Sequence, residues 1–145
     1  MGLFDIFKGK SYKNSNYNCY IIYSLNYDDV EKWLNNILNE KLPKNIIAFN
    51  FNLYEDEDNK WSIELIGSDT YDENNEDWAC REIFTSRNNP FVFSRNDEWK
   101  NILNDVKVII SKYLKDGKYN VILKSAKAIG IGFVDGDIEI IYKKW

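Results

Sequence analysis

Acidic side chains are the groups in this sequence that could do chemistry, and they fall into three clusters. Carboxylates supply the oxygen ligands that Mg²⁺ and Ca²⁺ prefer, and a pair of them can act as acid and base in hydrolysis. The first cluster, EDED at 55–58, lacks the glycine and the distal glutamate of an EF-hand, so it is more typical of a solvated turn. The other two clusters are Asp69, Asp72, Glu73, Glu76 and Asp77, and then Asp135, Asp137 and Glu139.

Histidine is absent from the sequence, which removes Ser-His-Asp and Cys-His sites and His-ligated zinc. The two cysteines, Cys19 and Cys80, match neither a zinc spacing nor a disulfide framework, and each is predicted to be a small buried hydrophobic residue. We therefore expect no catalytic residue, no metal ligand, no cofactor and no enzymatic activity. A small hydrolase that uses carboxylate-bound Mg²⁺ or Mn²⁺ is the alternative.

The stretch AIGIGFVDGDIEIIY at 128–142 contains three glycines, Gly130, Gly132 and Gly136. A phosphate-binding loop opens onto a helix, whereas here the last glycine precedes the strand-like run DIEIIY. The dipeptide Asp-Gly is typical of a two-residue hairpin turn, so the stretch predicts a hairpin of 128–134 and 137–143 in which Glu139 faces Gly132. The glycine side of this strand is expected to admit a closely packed helix or, alternatively, a partner side chain or ligand.

Hydrophobic periodicity predicts the other elements. CYIIYSL at 19–25 indicates a strand, and apolar residues at helical spacing predict helices at about 27–39 and 97–116. The segments 46–54 and 60–67 predict a hairpin in which Tyr54 pairs with Lys60 and Phe51 with Ile63. This register places the aromatic and aliphatic residues on one face, which packs on the core, and leaves the other face exposed to solvent.

The length of 145 residues predicts one domain, 1–145, in which residues 1–18 form an amphipathic turn and a polar linker. We expect the α+β class: a mostly antiparallel sheet of two hairpins plus an N-terminal strand, with two main helices packed on one face. The sequence lacks a signal peptide pattern and an apolar run of bilayer-spanning length, which predicts a cytoplasmic protein without stable membrane insertion.

The segment 69–81 mixes acids with aromatic residues and arginine, the residue types that dominate interface hot spots. A net charge of −4 disfavours nucleic acid as a partner and favours a basic protein. Trp78 is also expected to anchor this segment to the core. The predicted partner-binding residues are Asp69, Tyr71, Asp72, Glu73, Glu76, Asp77, Trp78 and Arg81, with Glu139 as a second region; the alternative for these acids is a solvated loop.

Two stretches, EDWACREIF at 76–84 and KAIGIGFVDGDIEIIY at 127–142, together resemble small α+β immunity proteins encoded beside bacterial polymorphic or contact-dependent toxins. The resemblance implies a cytosolic antitoxin that binds the C-terminal domain of one cognate toxin and blocks its active site. Many toxins of this class are nucleases with basic grooves, toward which an acidic binder is steered. A housekeeping interaction module, or a membrane-surface adaptor using Leu3, Phe4 and Phe7, is a further alternative to this function.

Overall fold

The computed structural model describes the backbone of residues 10–13 and 19–144 and the side chains of residues 21–144. The amphipathic turn predicted at the N-terminus lies outside the described residues. The elements are, in chain order, β1 (Lys10–Lys13), β2 (Cys19–Tyr23), α1 (Tyr27–Leu38), β3 (Ala48–Glu55), β4 (Lys60–Ser68), a 3₁₀ helix (Glu76–Cys80), β5 (Glu82–Thr85), β6 (Phe91–Ser94), α2 (Trp99–Asp116), α3 (Asn120–Lys124), β7 (Ala128–Phe133) and β8 (Glu139–Lys143). Strand β1 occupies part of the region predicted to be a polar linker, because it pairs with β2.

The described strands form one mixed sheet in the order β1-β2-β6-β4-β3-β7-β8, and β5 also pairs with β4. The pairs β2–β6 and β3–β7 are parallel, whereas the remaining pairs are antiparallel. The α+β class is confirmed. The expected, mostly antiparallel arrangement is only partly right, because a parallel pairing of β3 with β7 joins the two predicted hairpins edge to edge.

The hydrophobic core lies between the two main helices and one face of the sheet. Helix α1 begins after Asn26, whose Oδ1 accepts a hydrogen bond from the backbone N–H of Asp29 at 2.9 Å. Because apolar residues recur along one side of each helix, α1 and α2 present continuous apolar faces to the sheet. The sheet residues buried in the same cluster include Phe49, Phe51, Leu53, Trp61, Ile63, Leu65, Ile129 and Ile131. No helix within the described ranges is long and apolar enough to cross a membrane.

The β3–β4 hairpin has a register two residues away from the predicted one. Phe51 pairs with Leu65, and Tyr54 pairs with Ser62, because the connecting turn is longer than expected. Asp58 and Asn59 both adopt positive φ angles in this turn, 59° and 58°, a conformation that Asp and Asn tolerate better than most residues. A shift of two residues leaves every side chain on its predicted face, so the core face is confirmed.

The β7–β8 hairpin follows the predicted register only at its open end. Ala128 pairs with Lys143 as expected, but a bulge after Ile129 shifts the next pairs by one residue. Glu139 therefore faces Ile131 on the helix side of the sheet, where it forms an ion pair with Lys107 of α2 at 2.7 Å. The predicted two-residue turn is wrong, because strand β8 begins only at Glu139 and leaves 134–138 as a longer connection.

Candidate functional site

The sheet face opposite the helices carries buried polar side chains. Asn50, Asn52 and Tyr54 alternate along β3, and Glu64 lies beside them on β4. Asn50 and Glu64 are each only 2% exposed. The prediction that this face of the sheet is solvent-exposed is wrong for these residues. The 3₁₀ helix covers the face on one side, and the β7–β8 connection covers it on the other.

A cleft with a volume of about 400 Å³ opens between these two coverings. One wall comes from 76–82 and the other from 132–138. The Oε2 atom of Glu76 accepts a hydrogen bond from the backbone N–H of Ile138 at 3.2 Å and so joins the two walls. The cleft is lined by Asn50, Asn52, Tyr54, Glu76, Asp77, Ala79, Cys80, Glu82, Gly132, Phe133, Val134, Gly136 and Ile138.

The glycines of β7 are required by the close approach of the chain that follows them. A Cβ atom at Gly132 would overlap the carbonyl oxygen of Asp137, and one at Gly130 would overlap Asn50 Oδ1 and Ile138 Cγ2. The glycine side of the strand therefore admits the protein's own connection at 137–138. Within the described residues neither main helix packs against these glycines as expected, since both lie on the opposite face of the sheet.

A chain of hydrogen bonds runs along the floor of the cleft. The hydroxyl of Tyr54 and the Nδ2 group of Asn52 both donate to Glu64 Oε1, at 2.6 and 3.3 Å. Asn50 Nδ2 in turn donates to Asn52 Oδ1 at 2.6 Å. The chain ends at Asn50 Oδ1, which is buried and accepts no hydrogen bond from any described residue.

Two carboxylates beside the cleft share one cation. Arg87 Nε lies 2.8 Å from Glu64 Oε2, and Arg87 Nη2 donates to both oxygens of Glu82 at 2.9 and 3.0 Å. Glu64 Oε2 receives no well-oriented hydrogen bond, so its contact with Arg87 is mainly electrostatic. Burial, together with the hydrogen bond to Glu64, raises the pKa of Tyr54 to about 12.

Several residues predicted to bind a partner hold the 69–81 segment in place. Asp69 forms an ion pair with Arg81 at 2.6 Å. Trp78 is buried and packs edge-to-face with Tyr71, with ring centroids 5.3 Å apart, so the prediction that Trp78 anchors this segment is confirmed. Glu73 forms an ion pair with Lys143 of β8 at 2.6 Å, which lowers the pKa of Glu73.

The remaining predicted residues divide between the two faces of the sheet. Glu76 and Asp77 line the cleft, and Asp72 is exposed in the turn that precedes the 3₁₀ helix. The carboxylate of Asp77 makes no hydrogen bond or ion pair with the described residues. Glu139 is not brought to this region, because the bulge in β7–β8 turns it toward α2.

The sequence predictions did not include the floor of the cleft, namely Asn50, Asn52, Tyr54 and Glu64, or Glu82 on its wall. The available signal was the pair of asparagines two residues apart in a strand, because asparagine is depleted in strands and both must lie on one face. Cys80 was also predicted to be buried, but it is exposed at the cleft because it ends a short 3₁₀ helix at the surface.

An aromatic patch adjoins the cleft across the tip of the β7–β8 connection. We define it as Trp99, Phe133 and Val134. Trp99 is 49% exposed, and its ring meets Phe133 edge-to-face with centroids 6.0 Å apart. A second depression of about 490 Å³ lies between this patch and the end of β3. Tyr54, Phe133, Val134 and Gly136 line both hollows, so the cleft and the patch form one continuous surface.

Within the described residues, no group of three or more His, Cys, Asp or Glu side chains is arranged to hold a metal ion. No protein-family model, curated protein sequence or solved structure matches this chain.

Proposed function

We propose that this protein is a non-enzymatic immunity protein that binds one cognate bacterial toxin domain, of the basic nuclease type, and blocks its active site. The observation that carries the proposal is the position of the two stretches that resemble immunity proteins. Residues 76–84 and 127–142 are far apart in the sequence, yet they supply the two walls of one cleft and are joined through Glu76 and Ile138.

The charge of this surface supports a basic partner. Glu76, Asp77 and Glu82 line the cleft, and Asp135 and Asp137 lie exposed at its other wall. The acids on such a surface attract a positively charged groove over several ångströms and raise the association rate by about 10–10³. Close charge pairs in such a complex contribute about 1.5–7 kcal/mol of coupling energy.

The aromatic patch supplies the apolar part of the interface. Tryptophan is among the residues that contribute most to binding energy, and Trp99 is half exposed beside the acidic cleft. The edge-to-face contact with Phe133 restricts the orientation of the Trp99 ring, so little side-chain entropy remains to be lost on binding.

The experiment that tests this function is co-expression with the C-terminal domain encoded by the gene immediately upstream. With an affinity tag on the toxin domain only, we expect the two proteins to co-purify in a stoichiometric complex. The complex should also lack the toxic activity of the free domain. Separate elution of two soluble, folded proteins would contradict the proposal.

A further inference from the structure

We propose that the hollow beside Trp99 receives a large apolar side chain of the partner, such as phenylalanine, from a segment that carries lysine or arginine on both sides of it. The hollow is the depression of about 490 Å³ between the aromatic patch and the end of β3. The partner's identity in this inference rests on the proposed function. The site itself rests on an exposed tryptophan, a cation that already lies over its ring, and an acidic rim.

Trp99 is exposed to a degree that the other tryptophans within residues 21–144 are not. It is 49% exposed, whereas Trp33, Trp61 and Trp78 are at most 7% exposed. Val134 belongs to the same patch and is 53% exposed. Contiguous apolar surface of this kind is typical of an interaction site, and tryptophan is among the residues that contribute most to binding.

The hollow is formed before any partner binds. The Trp99 ring meets Phe133 edge-to-face, and Phe133 in turn meets the buried ring of Trp61, with centroids 5.9 Å apart. Leu53, which is buried, also lines the hollow. A side chain that enters therefore meets ordered apolar walls, and little conformational entropy is lost on this side of the complex.

Lys100 decides between an apolar and a cationic occupant. Its Nζ atom lies over the Trp99 ring, 5.6 Å from the ring centroid, so a cation already uses the attraction of this π system. A second cation at the same ring would be repelled by Lys100. The walls at Phe133 and Val134 are apolar and suit an aromatic or aliphatic side chain. The volume lies within the range for small-molecule sites, which is enough for one such side chain.

The charge of the rim favours a basic segment around that side chain. Glu55 and Asp135 line the hollow, are exposed, and form no ion pair with the described residues. Glu98, which precedes Trp99, is also exposed. These three carboxylates outnumber Lys100, so the rim is negative. Lysine or arginine beside the inserted side chain faces this rim and contributes mainly to orientation and to the association rate.

The probe for this site is the tripeptide acetyl-Lys-Phe-Lys-amide, followed by NMR of the protein without any toxin. We expect saturable shifts of the Trp99 indole N–H and of the Val134 and Gly136 amides, with a dissociation constant in about the millimolar range for a ligand this small. Acetyl-Lys-Gly-Lys-amide lacks the apolar side chain, and acetyl-Glu-Phe-Glu-amide reverses the charge. Both should bind more weakly, and so should acetyl-Lys-Arg-Lys-amide despite its greater positive charge.

Matched variants test the location of the site. Trp99→Ala removes one wall and should weaken the Lys-Phe-Lys probe by at least about fivefold, as expected for an anchor residue. Val121→Ala truncates another exposed apolar residue, 74% exposed on α3, and should leave the affinity unchanged. Asp135→Lys should weaken the probe by roughly two- to fivefold, whereas Asp116→Lys at the end of α2 should not. The Asp135 variant removes no apolar contact, so it tests the site independently of any loss of stability in Trp99→Ala.

Three results would overturn the inference: equal or tighter binding of the probe with glycine or arginine in place of phenylalanine, shifts confined to residues outside the hollow, or equal effects of Asp135→Lys and Asp116→Lys. The inference and the proposed function can fail separately. A toxin domain that co-purifies with a protein whose hollow ignores the Lys-Phe-Lys probe overturns only the inference. A hollow that binds the probe in a protein that captures no toxin overturns only the proposed function.

Discussion

The carboxylate of Glu76 and the backbone N–H of Ile138 lie 3.2 Å apart, although 62 residues separate them in the chain. This hydrogen bond joins the loop after β4 to the connection between β7 and β8. It thereby sets the separation of the two walls of the cleft.

Glu76→Ala removes the acceptor of this bond and should loosen one wall. We expect faster hydrogen exchange at the Ile138 amide and a loss of about 0.5–1 kcal/mol in the free energy of unfolding, because the bond is exposed. Glu76→Gln keeps an acceptor oxygen at the same position and serves as the matched control. Unchanged exchange at Ile138 in the alanine variant would show that the bond does not hold the walls together.

Gly132→Ala should destabilise the protein by about 1–3 kcal/mol, because the new methyl group overlaps the carbonyl oxygen of Asp137 and forces the connection away from the sheet. Gly136→Ala is the control in the same hairpin. The nearest atoms to a Cβ there are 3.6 and 3.9 Å away, so this substitution should cost less than about 0.5 kcal/mol. Urea denaturation measures both values, and equal losses would contradict the account of the glycines.

Arg87→Gln should destabilise the protein more than Arg81→Gln. The first substitution leaves the buried carboxylate of Glu64 without its cation and should cost about 1–3 kcal/mol. Because Arg87 is 55% exposed, water limits the loss below that of a fully buried pair. Arg81 is 69% exposed and pairs with Asp69 at the surface, so its loss should cost less than about 1 kcal/mol. Equal urea-denaturation midpoints for the two variants would argue against a structural role for the contact between Arg87 and Glu64.

The stability of the protein should fall as the pH rises from 10 to 12, because Tyr54 has a pKa of about 12 when folded and near 10 when unfolded. In that interval the unfolded state releases the proton first, which favours unfolding. Tyr54→Phe should make the decline shallower. Part of it should remain, since burial also raises the pKa of Tyr27 to about 12. Denaturation curves across this interval test the effect, and an identical pH slope in the variant would contradict it.

Charge reversal beside the cleft should slow association with the toxin domain that we propose as the partner. The double variant Asp72→Lys and Asp77→Lys changes two exposed acids whose carboxylates form no ion pair with the described residues. We expect the association rate to fall by at least about tenfold at low salt and the difference to shrink as salt is added. Glu40→Lys with Asp116→Lys changes the net charge equally at exposed positions at the ends of α1 and α2, and it should have a much smaller effect. If stopped-flow measurements show equal association rates for the two double variants, the interface does not lie at the cleft.

Local pattern was sufficient to predict much of the fold. Alternation along 49–53 and 61–65 assigned the core face of the first hairpin correctly, because the error in register was an even number of residues. Helical spacing located α1 and α2 to within about two residues at each end. These features depend on neighbours in the sequence, which is why periodicity reveals them.

The features that define the cleft depend on distant contacts. The parallel pairing of β3 with β7 joins strands about 80 residues apart, and no local pattern encodes it. The bulge beside Gly130 changed the face of Glu139, since a shift of one residue reverses side-chain direction. The burial of Asn50 and Glu64 depends on the later segments that cover them, so their place in a site was visible only in the folded chain.

The proposed antitoxin role is measured by the growth of cells that express the upstream toxin domain in the presence and absence of this protein. We expect arrested growth with the toxin domain alone, full growth when the wild-type protein is co-expressed, and impaired rescue by the Asp72→Lys, Asp77→Lys variant. Continued arrest in cells that contain the wild-type protein in soluble, folded form would contradict the claim that it is the antitoxin of that domain.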